Sequence, residues 1–343
     1  MVTRILSGMR PTGRLHIGHL VGALNNWSEL QKKYDSYFFV ADWHALTTQS
    51  DTKNIKKDSF EMVKDWLASG IDPEKSTLFI QSKVPQHAEL HLIFSMINTL
   101  PRLERVPSFK GQLEHLLEIK DPEHELTMEE ISNAKSKISY GFLGYPVLQA
   151  ADILIYQADG VPVGEDQIPH IELTREIARK FNSLYGEVFP EPEALLTNTP
   201  RILGTDGRKM SKSYGNAILP TDSLDDIKSG VRKMITDPQR KRRNDPGDPR
   251  VCSVYDLHLA YSPEDDQIET FQKCIKAEIG CSDCKNNIAP KIFEKYQEYS
   301  SKRSELDMKE NYIRDVLIEG SAKAREKASE TLGQVKNHLL LDY

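Results

Sequence analysis

Residues 3–41 read TRILSGMRPTGRLHIGHLVGALNNWSELQKKYDSYFFVA, and their pattern decides the fold. Residues 3–6 are a short strand candidate. Residues 8–13 form a loop rich in glycine and proline. Leu20, Ala23, Leu24, Trp27 and Leu30 then recur at helical spacing through residues 19–33, and residues 37–41 (YFFVA) make a buried strand candidate. Helical periodicity returns at 58–69 and a strand at 76–80. This alternation predicts the α/β class, a parallel sheet with helices on both faces. Ligands of such sheets lie beyond the carboxyl ends of the strands.

Further along the chain, residues 83–139 break the rhythm. They read as a mostly helical insertion with a polar, mobile middle at 119–133. The Rossmann-type rhythm resumes at 141. Pro146 suits the first turn of an amphipathic helix over 146–156. Residues 161–163 are a short strand, 170–182 another helix, and 186–205 a connection punctuated by proline and glycine. Strands fade after 221. The expected organisation is a Rossmann-type catalytic domain over 1–222, with a glycine-flanked loop at 204–216, and a C-terminal α-helical domain over 223–343.

The chain has 343 residues, 38% of them apolar and 28% charged, a composition under which disorder is not the default. No apolar run is long enough to span a bilayer. The first residues carry glycine, proline and arginine where a secretory signal would be apolar. Expectations are therefore no membrane and a cytoplasmic location. A net charge of −6 argues against nucleic-acid affinity over the whole surface. Arg232, Lys233, Arg240, Lys241, Arg242 and Arg243 nevertheless form a basic cluster, which reads either as a phosphate contact or as a solvated helix end.

Two elements carry phosphate chemistry. The first is His16-Ile17-Gly18-His19, in a glycine-rich loop that opens a helix. A helix N-terminus presents unpaired N–H groups, and two histidines can donate to phosphate oxygens. The second is Lys209-Met210-Ser211-Lys212-Ser213, where two lysines could neutralise a triphosphate and the serines could donate to it. Each alone reads as well as a polar surface loop. A third element, Tyr145-Pro146-Val147-Leu148-Gln149-Ala150-Ala151-Asp152, sets Tyr145, Gln149 and Asp152 on one helix face. A carboxylate facing an apolar pocket needs a donor, and an indole N–H or a phenol O–H would serve.

The two phosphate elements, in this order and at this separation, resemble the paired signatures of the class I aminoacyl-tRNA synthetases. Val161-Pro162-Val163-Gly164-Glu165-Asp166-Gln167, Ala41-Asp42-Trp43-His44-Ala45 and Phe79-Ile80-Gln81-Ser82 are similar to the pattern of the bacterial tryptophanyl-tRNA synthetases. The likeness covers most of residues 3–220.

The resemblance implies activation of L-tryptophan by ATP with Mg²⁺, then transfer to tRNA(Trp), by a homodimer whose helical domain reads the anticodon. It implies that Asp152 accepts the indole N–H. Ser7, His44, Tyr145, Gln149 and Gln167 would hold or shape the amino acid, with Val161 and Val163 walling the ring. His16, His19, Lys110, Lys209 and Lys212 would act on the phosphates. Arg10, Thr12, Gly18, Gly164, Asp166, Met210, Ser211 and Ser213 would complete the ATP site. Departures from the commonest bacterial form are Leu6 for an aromatic, Arg10 for glutamine, Gln149 for an apolar residue and His-Ile-Gly-His for Thr-Ile-Gly-Asn. Rival readings are a tyrosyl-tRNA synthetase, a small-molecule nucleotidyltransferase and a catalytically idle RNA-binding paralogue.

Cys252, Cys274, Cys281 and Cys284 are the four cysteines of the chain. A CxxC pair with two more cysteines suits four thiolates around one metal centre. A few members of the resembled family carry such a quartet as a four-iron four-sulfur (4Fe-4S) cluster, with a first spacer one residue longer. A 4Fe-4S cluster is the expectation and structural Zn²⁺ the alternative.

Overall fold

The computed structural model describes residues 2–119, 124, 126–196 and 202–342. Five strands build one parallel sheet: β1 Arg4–Met9, β2 Asp35–Val40, β3 Ser76–Ile80, β4 Gly160–Val163 and β5 Glu193–Leu196. Their order is β3-β2-β1-β4-β5, so the chain direction across the sheet reverses between β1 and β4. That switch leaves a crevice beyond the carboxyl ends of both strands, the place where open α/β sheets bind ligands.

The sheet is buried on both faces because β2 is apolar at successive positions. Phe38 and Val40 join one core, with Trp27 stacked on Phe38 at 4.3 Å between ring centres. Tyr37 and Phe39 join the other, with Phe79, Leu154 and Phe181. Among the described residues no strand follows residue 222. The C-terminal helices still belong to both cores: Val254, Ile288 and Ile313 pack in the first, Ala324, Leu332 and Val335 in the second.

Several boundaries differ from the sequence expectation. The helix after the first loop is not uniform: Ile17–His19 leads into a π-wound turn, Leu20–Leu24, and then Asn25–Leu30. The helix expected to start at Pro146 runs Tyr140–Leu154, with Pro146 inside it. Its start is set by Ser139, whose hydroxyl accepts the Phe142 N–H at 3.1 Å. Strand β5 falls in a segment read as connection. The insertion holds the helices Gln86–Ile97, Leu100–Glu104, Pro107–Leu116 and Met128–Lys135. Residues 120–123 and 125, where mobility was expected, lie outside the described residues, as do 197–201 of the expected connection.

The terminal helix, Glu310–His338, lies against β3 at the edge of the sheet, which guards an otherwise open row of backbone groups. Gly320 makes the approach possible, since a Cβ there would stand 1.9 Å from the Leu78 carbonyl oxygen. A backbone oxygen in a sheet cannot yield as a side chain can. Gly320→Ala is therefore expected to cost about 3 kcal/mol, the upper end of typical overpacking. Gly333→Ala, on the same helix with open space around it, is expected to stabilise by up to about 1 kcal/mol. Urea denaturation of the two variants checks both signs.

Candidate active site

A cavity of about 540 Å³ opens at the switch point. Ser7 and Arg10 reach it from the end of β1, and His44 from the turn Asp42–Ala45. Tyr145, Gln149 and Asp152 come from the helix Tyr140–Leu154. Val161, Val163, Gly164 and Gln167 come from β4 and the residues after it. All ten were candidates on sequence. Gly8 lets β1 pass over Phe39, whose ring would stand 2.4 Å from a Cβ. The π-wound turn brings Gly22 and Ala23 to the cavity wall and is followed there by Asn26. Such turns are frequent at functional sites, and nothing in the sequence marked this one.

Asp152 is 1% exposed and lines the cavity. His44 Nε2 lies 2.8 Å from Oδ2, and His87 Nδ1 2.6 Å from Oδ1. The Gln81 amide donates to both oxygens, at 2.8 and 2.9 Å. Burial pushes the Asp152 carboxyl upward, but the hydrogen bonds from His44 and His87 outweigh it and hold the group below its ordinary value. Behind His87 stands the Tyr156 hydroxyl, 2.7 Å from Nε2. Burial pushes that phenol well up, so it keeps its proton. The Asp152 carboxylate accepts from His87 Nδ1–H, and Nε2 pairs with the Tyr156 hydroxyl. His87 and Tyr156 were missed on sequence. Tyr156 sits one helical turn past Asp152, which was the available signal.

The two loops expected to meet phosphate, the first loop and the loop 204–216, come together in the structure. The rings of His16 and His19 lie 3.7 Å apart. The His16 backbone N–H donates to His19 Nδ1 at 3.3 Å, which leaves Nε2–H of the neutral His19 free as a donor. Lys212 Nζ donates to the Thr12 carbonyl at 2.6 Å, so the second loop already touches the first. Met210 is buried beneath it. Asn216, another residue missed on sequence, ties the loop together: its oxygen accepts the Ser211 N–H at 2.7 Å and its amide donates to Asp206 at 2.7 Å. A Cβ on Gly18 would meet His16 Nδ1 at 3.1 Å, so that position has room for little else.

Burial, then the charge of Lys212, lowers the His16 pKa to about 4. Burial, then His16 and Lys212, lowers that of His19 to about 3. Both rings are neutral at pH 7 and can donate without titrating. Above the ordinary histidine value of about 6.5 the pair adds nothing to the pH dependence of stability. As pH falls from about 6.5 toward 4 the unfolded chain takes up protons that the folded chain refuses, so stability is lost. Thermal unfolding should therefore show a falling melting temperature from neutral to acid pH. The fall should be smaller in a His16→Asn/His19→Asn double variant.

Among the expected residues, Thr12, Lys110, Asp166, Lys209, Lys212 and Ser213 are exposed and do not line the cavity. Lys110, on the helix Pro107–Leu116, is exposed, lies 3.6 Å from Glu114 and does not line the cavity. Asp166 is exposed beside it and accepts the Gln167 amide at 2.8 Å. Ser213 is exposed on the second loop. Arg10 reaches the cavity but donates to Thr48 at 3.0 Å.

The four cysteines form no disulfide and are half-buried. Cys252 precedes the helix Ser253–Tyr261, Cys274 lies in Glu264–Ile275, and Cys281 and Cys284 open Cys281–Lys295. Burial, then the neighbouring thiols Cys252, Cys274 and Cys281, pushes Cys284 up to about 12. Arg240 Nη1 lies 3.8 Å from the sulfurs of both Cys274 and Cys281. A Cβ on Gly247 would meet the Cys274 sulfur at 2.7 Å. Four thiols in one neighbourhood beside a guanidinium are a donor set that suits a thiophilic, anionic centre. Among the described residues, however, no three His, Cys, Asp or Glu side chains stand close enough to hold an ion. The four thiols thus make a neighbourhood without a closed cage.

The family model described as tRNA synthetases class I (W and Y) matches residues 2–297. The tryptophan–tRNA ligase of Thermotoga maritima is 51% identical over 98% of this chain and 99% of its own. That of Aquifex aeolicus is 43% identical over 98% of this chain and 100% of its own. The crystal structure of tryptophanyl-tRNA synthetase from Campylobacter jejuni complexed with ADP and tryptophan superposes with a TM-score of 0.79 at 32% identity, covering 99% of this chain and 100% of that one. With this site on this sheet, the chain belongs to the class I tRNA synthetases of the tryptophan and tyrosine type, in their tryptophanyl branch.

Proposed function

We propose that the chain activates L-tryptophan with ATP to tryptophanyl-adenylate and transfers the aminoacyl group to tRNA(Trp). The observation that carries this reading is the contact of Lys212 with Thr12. It joins the lysine loop to the histidine loop, whose Arg10 lines the same cavity as Asp152. The indole N–H would be accepted by Asp152, with Tyr145, Gln149, Val161 and Val163 shaping the ring pocket. Ser7, His44 and Gln167 would meet the amino and carboxyl ends.

ATP would enter as its Mg²⁺ complex along the first loop. The tryptophan carboxylate is already a competent nucleophile. It attacks the α-phosphorus in line, and the P–O bond to pyrophosphate breaks. No side-chain nucleophile is required, so positioning and stabilisation of phosphate charge carry the catalysis. The neutral His16 and His19 donate hydrogen bonds, while Lys209 and Lys212 neutralise the departing pyrophosphate. A terminal ribose hydroxyl of the tRNA then attacks the adenylate carbonyl and releases AMP. Residues 1–222 would do this chemistry, and 223–343 would read the anticodon, with Lys241, Arg242 and Arg243 exposed to contact its phosphates.

A homodimer is part of the same reading. Leu92 and Met96 on the helix Gln86–Ile97 and Leu100 at the start of the next are 56%, 73% and 58% exposed, apolar side chains that a second copy would cover. The cysteine quartet would hold a structural centre, a 4Fe-4S cluster in preference to Zn²⁺, that braces the helical domain. The compartment is the cytoplasm. Charging assays with tRNA(Trp) and tRNA(Tyr) transcripts test the function: tryptophan should load the first and leave the second uncharged. Metal analysis of anaerobically purified protein should find iron and a brown colour. Zinc without iron would select the alternative centre.

A further inference from the structure

Arg303 is 1% exposed and lies on the helix Gln297–Asp307, far along the chain from the ATP signatures. Its Nε donates to Asp65 Oδ1 at 2.7 Å and its Nη2 to Glu61 at 2.5 Å, while Nη1 meets Asp307. Lys64 joins the same group, 2.9 Å from Glu61 and 3.0 Å from Asp307. Well-packed apolar residues often serve stability as well as a buried ion network does. A buried ion network is thus weak evidence for a role in stability.

Asp65 supplies the other half of the argument. It is 1% exposed on the helix Ile55–Ala68, and its Oδ2 accepts the backbone N–H of Leu15 at 2.5 Å. Leu15 immediately precedes His16. The next anchor of the same turn is the Ile17 N–H, which donates to the Ile218 carbonyl at 3.0 Å. The turn that presents both histidines is thus held at residue 15 by a carboxylate whose second oxygen belongs to Arg303. The other two guanidinium nitrogens are fixed on Glu61 and Asp307, so a rigid plane carries the one N–H that holds this carboxylate, and a flexible ammonium lacks that plane.

We propose that Arg303 is a positioning residue for the ATP step. It holds the Asp65 carboxylate in the orientation that anchors Leu15, and so couples the C-terminal helices to the placement of His16 and His19. This rests on the reading that those histidines meet ATP.

The test is tryptophan-dependent ATP–pyrophosphate exchange by the full-length chain, with tryptophan affinity measured separately by calorimetry. Arg303→Lys is expected to lower kcat/KM for ATP by about 10- to 100-fold, the scale of a misplacement of about 1 Å. Tryptophan affinity should stay as in the unaltered enzyme. Asp65→Asn should give the same pattern, and the double variant should be no worse than Asp65→Asn alone, because both act through one contact.

A purely structural role would lower the melting temperature and weaken ATP and tryptophan handling together. That outcome overturns the proposal. So does a folded Arg303→Lys enzyme with unaltered ATP parameters, or strictly additive effects in the double variant. If Arg303→Lys does not fold, Asp65→Asn alone decides, and ordinary ATP parameters in it refute the coupling. An unaltered enzyme without tryptophan-dependent exchange would instead sink the functional reading itself.

Discussion

Lys212→Ala is expected to lower tryptophan-dependent ATP–pyrophosphate exchange by about 10²–10³-fold while leaving tryptophan affinity nearly unchanged, the size of loss seen when one preorganised charge-stabilising donor is removed. The asymmetry follows from position. Lys212 bonds to Thr12 at the head of the histidine loop and does not line the cavity that holds Asp152. Its charge is also one of the causes that lower both histidines. Burial lowers its own pKa as well, yet Asp58 and Asp65 favour the charged form. The side chain is exposed on its loop, and the bond to Thr12 fixes the ammonium beside the histidine loop. Because charge builds on the leaving group in the transition state, kcat should fall more than KM rises. Unchanged exchange in this variant would remove the lysine loop from the chemistry.

Asp152→Ala is the second large effect, and it has two parts. Selectivity for tryptophan over phenylalanine should collapse, since a site built to pair a donor rejects an analogue lacking it by up to about 10⁴–10⁵-fold. Stability should also fall, by about 3 kcal/mol or more. The substitution leaves Gln81 and His87 with buried donors and no acceptor. Asp152→Asn retains an acceptor and should be the milder variant in both respects. Competition between tryptophan and phenylalanine in the exchange assay, paired with thermal unfolding, separates the two parts. Retained discrimination in a folded Asp152→Ala enzyme would show that pocket shape, not the carboxylate, reads the ring.

Much of this was legible because it depends on local spacing. The alternation through residues 3–41 gave a parallel sheet, and the four- and three-residue steps from Tyr145 to Asp152 put three cavity residues on one face. What could not be read depends on partners distant in sequence. Strand β5 is Glu-Ala-Leu-Leu, residues that favour helix by themselves and become a strand through pairing with β4. His87 reads locally as one polar residue of an amphipathic helix, and its place behind Asp152 exists only after folding. Arg240 reads as part of a basic surface cluster, yet its guanidinium turns inward to the carbonyls of Arg243 and Ile279. Lys110, expected in the site, stands exposed 3.6 Å from Glu114.

The most direct test is ATP–pyrophosphate exchange measured with each of the twenty amino acids. Tryptophan should drive exchange far above every other, tyrosine included, because Asp152 and the paired loops act on one bound pair of substrates. Exchange driven best by a different amino acid, or by none, would contradict the account.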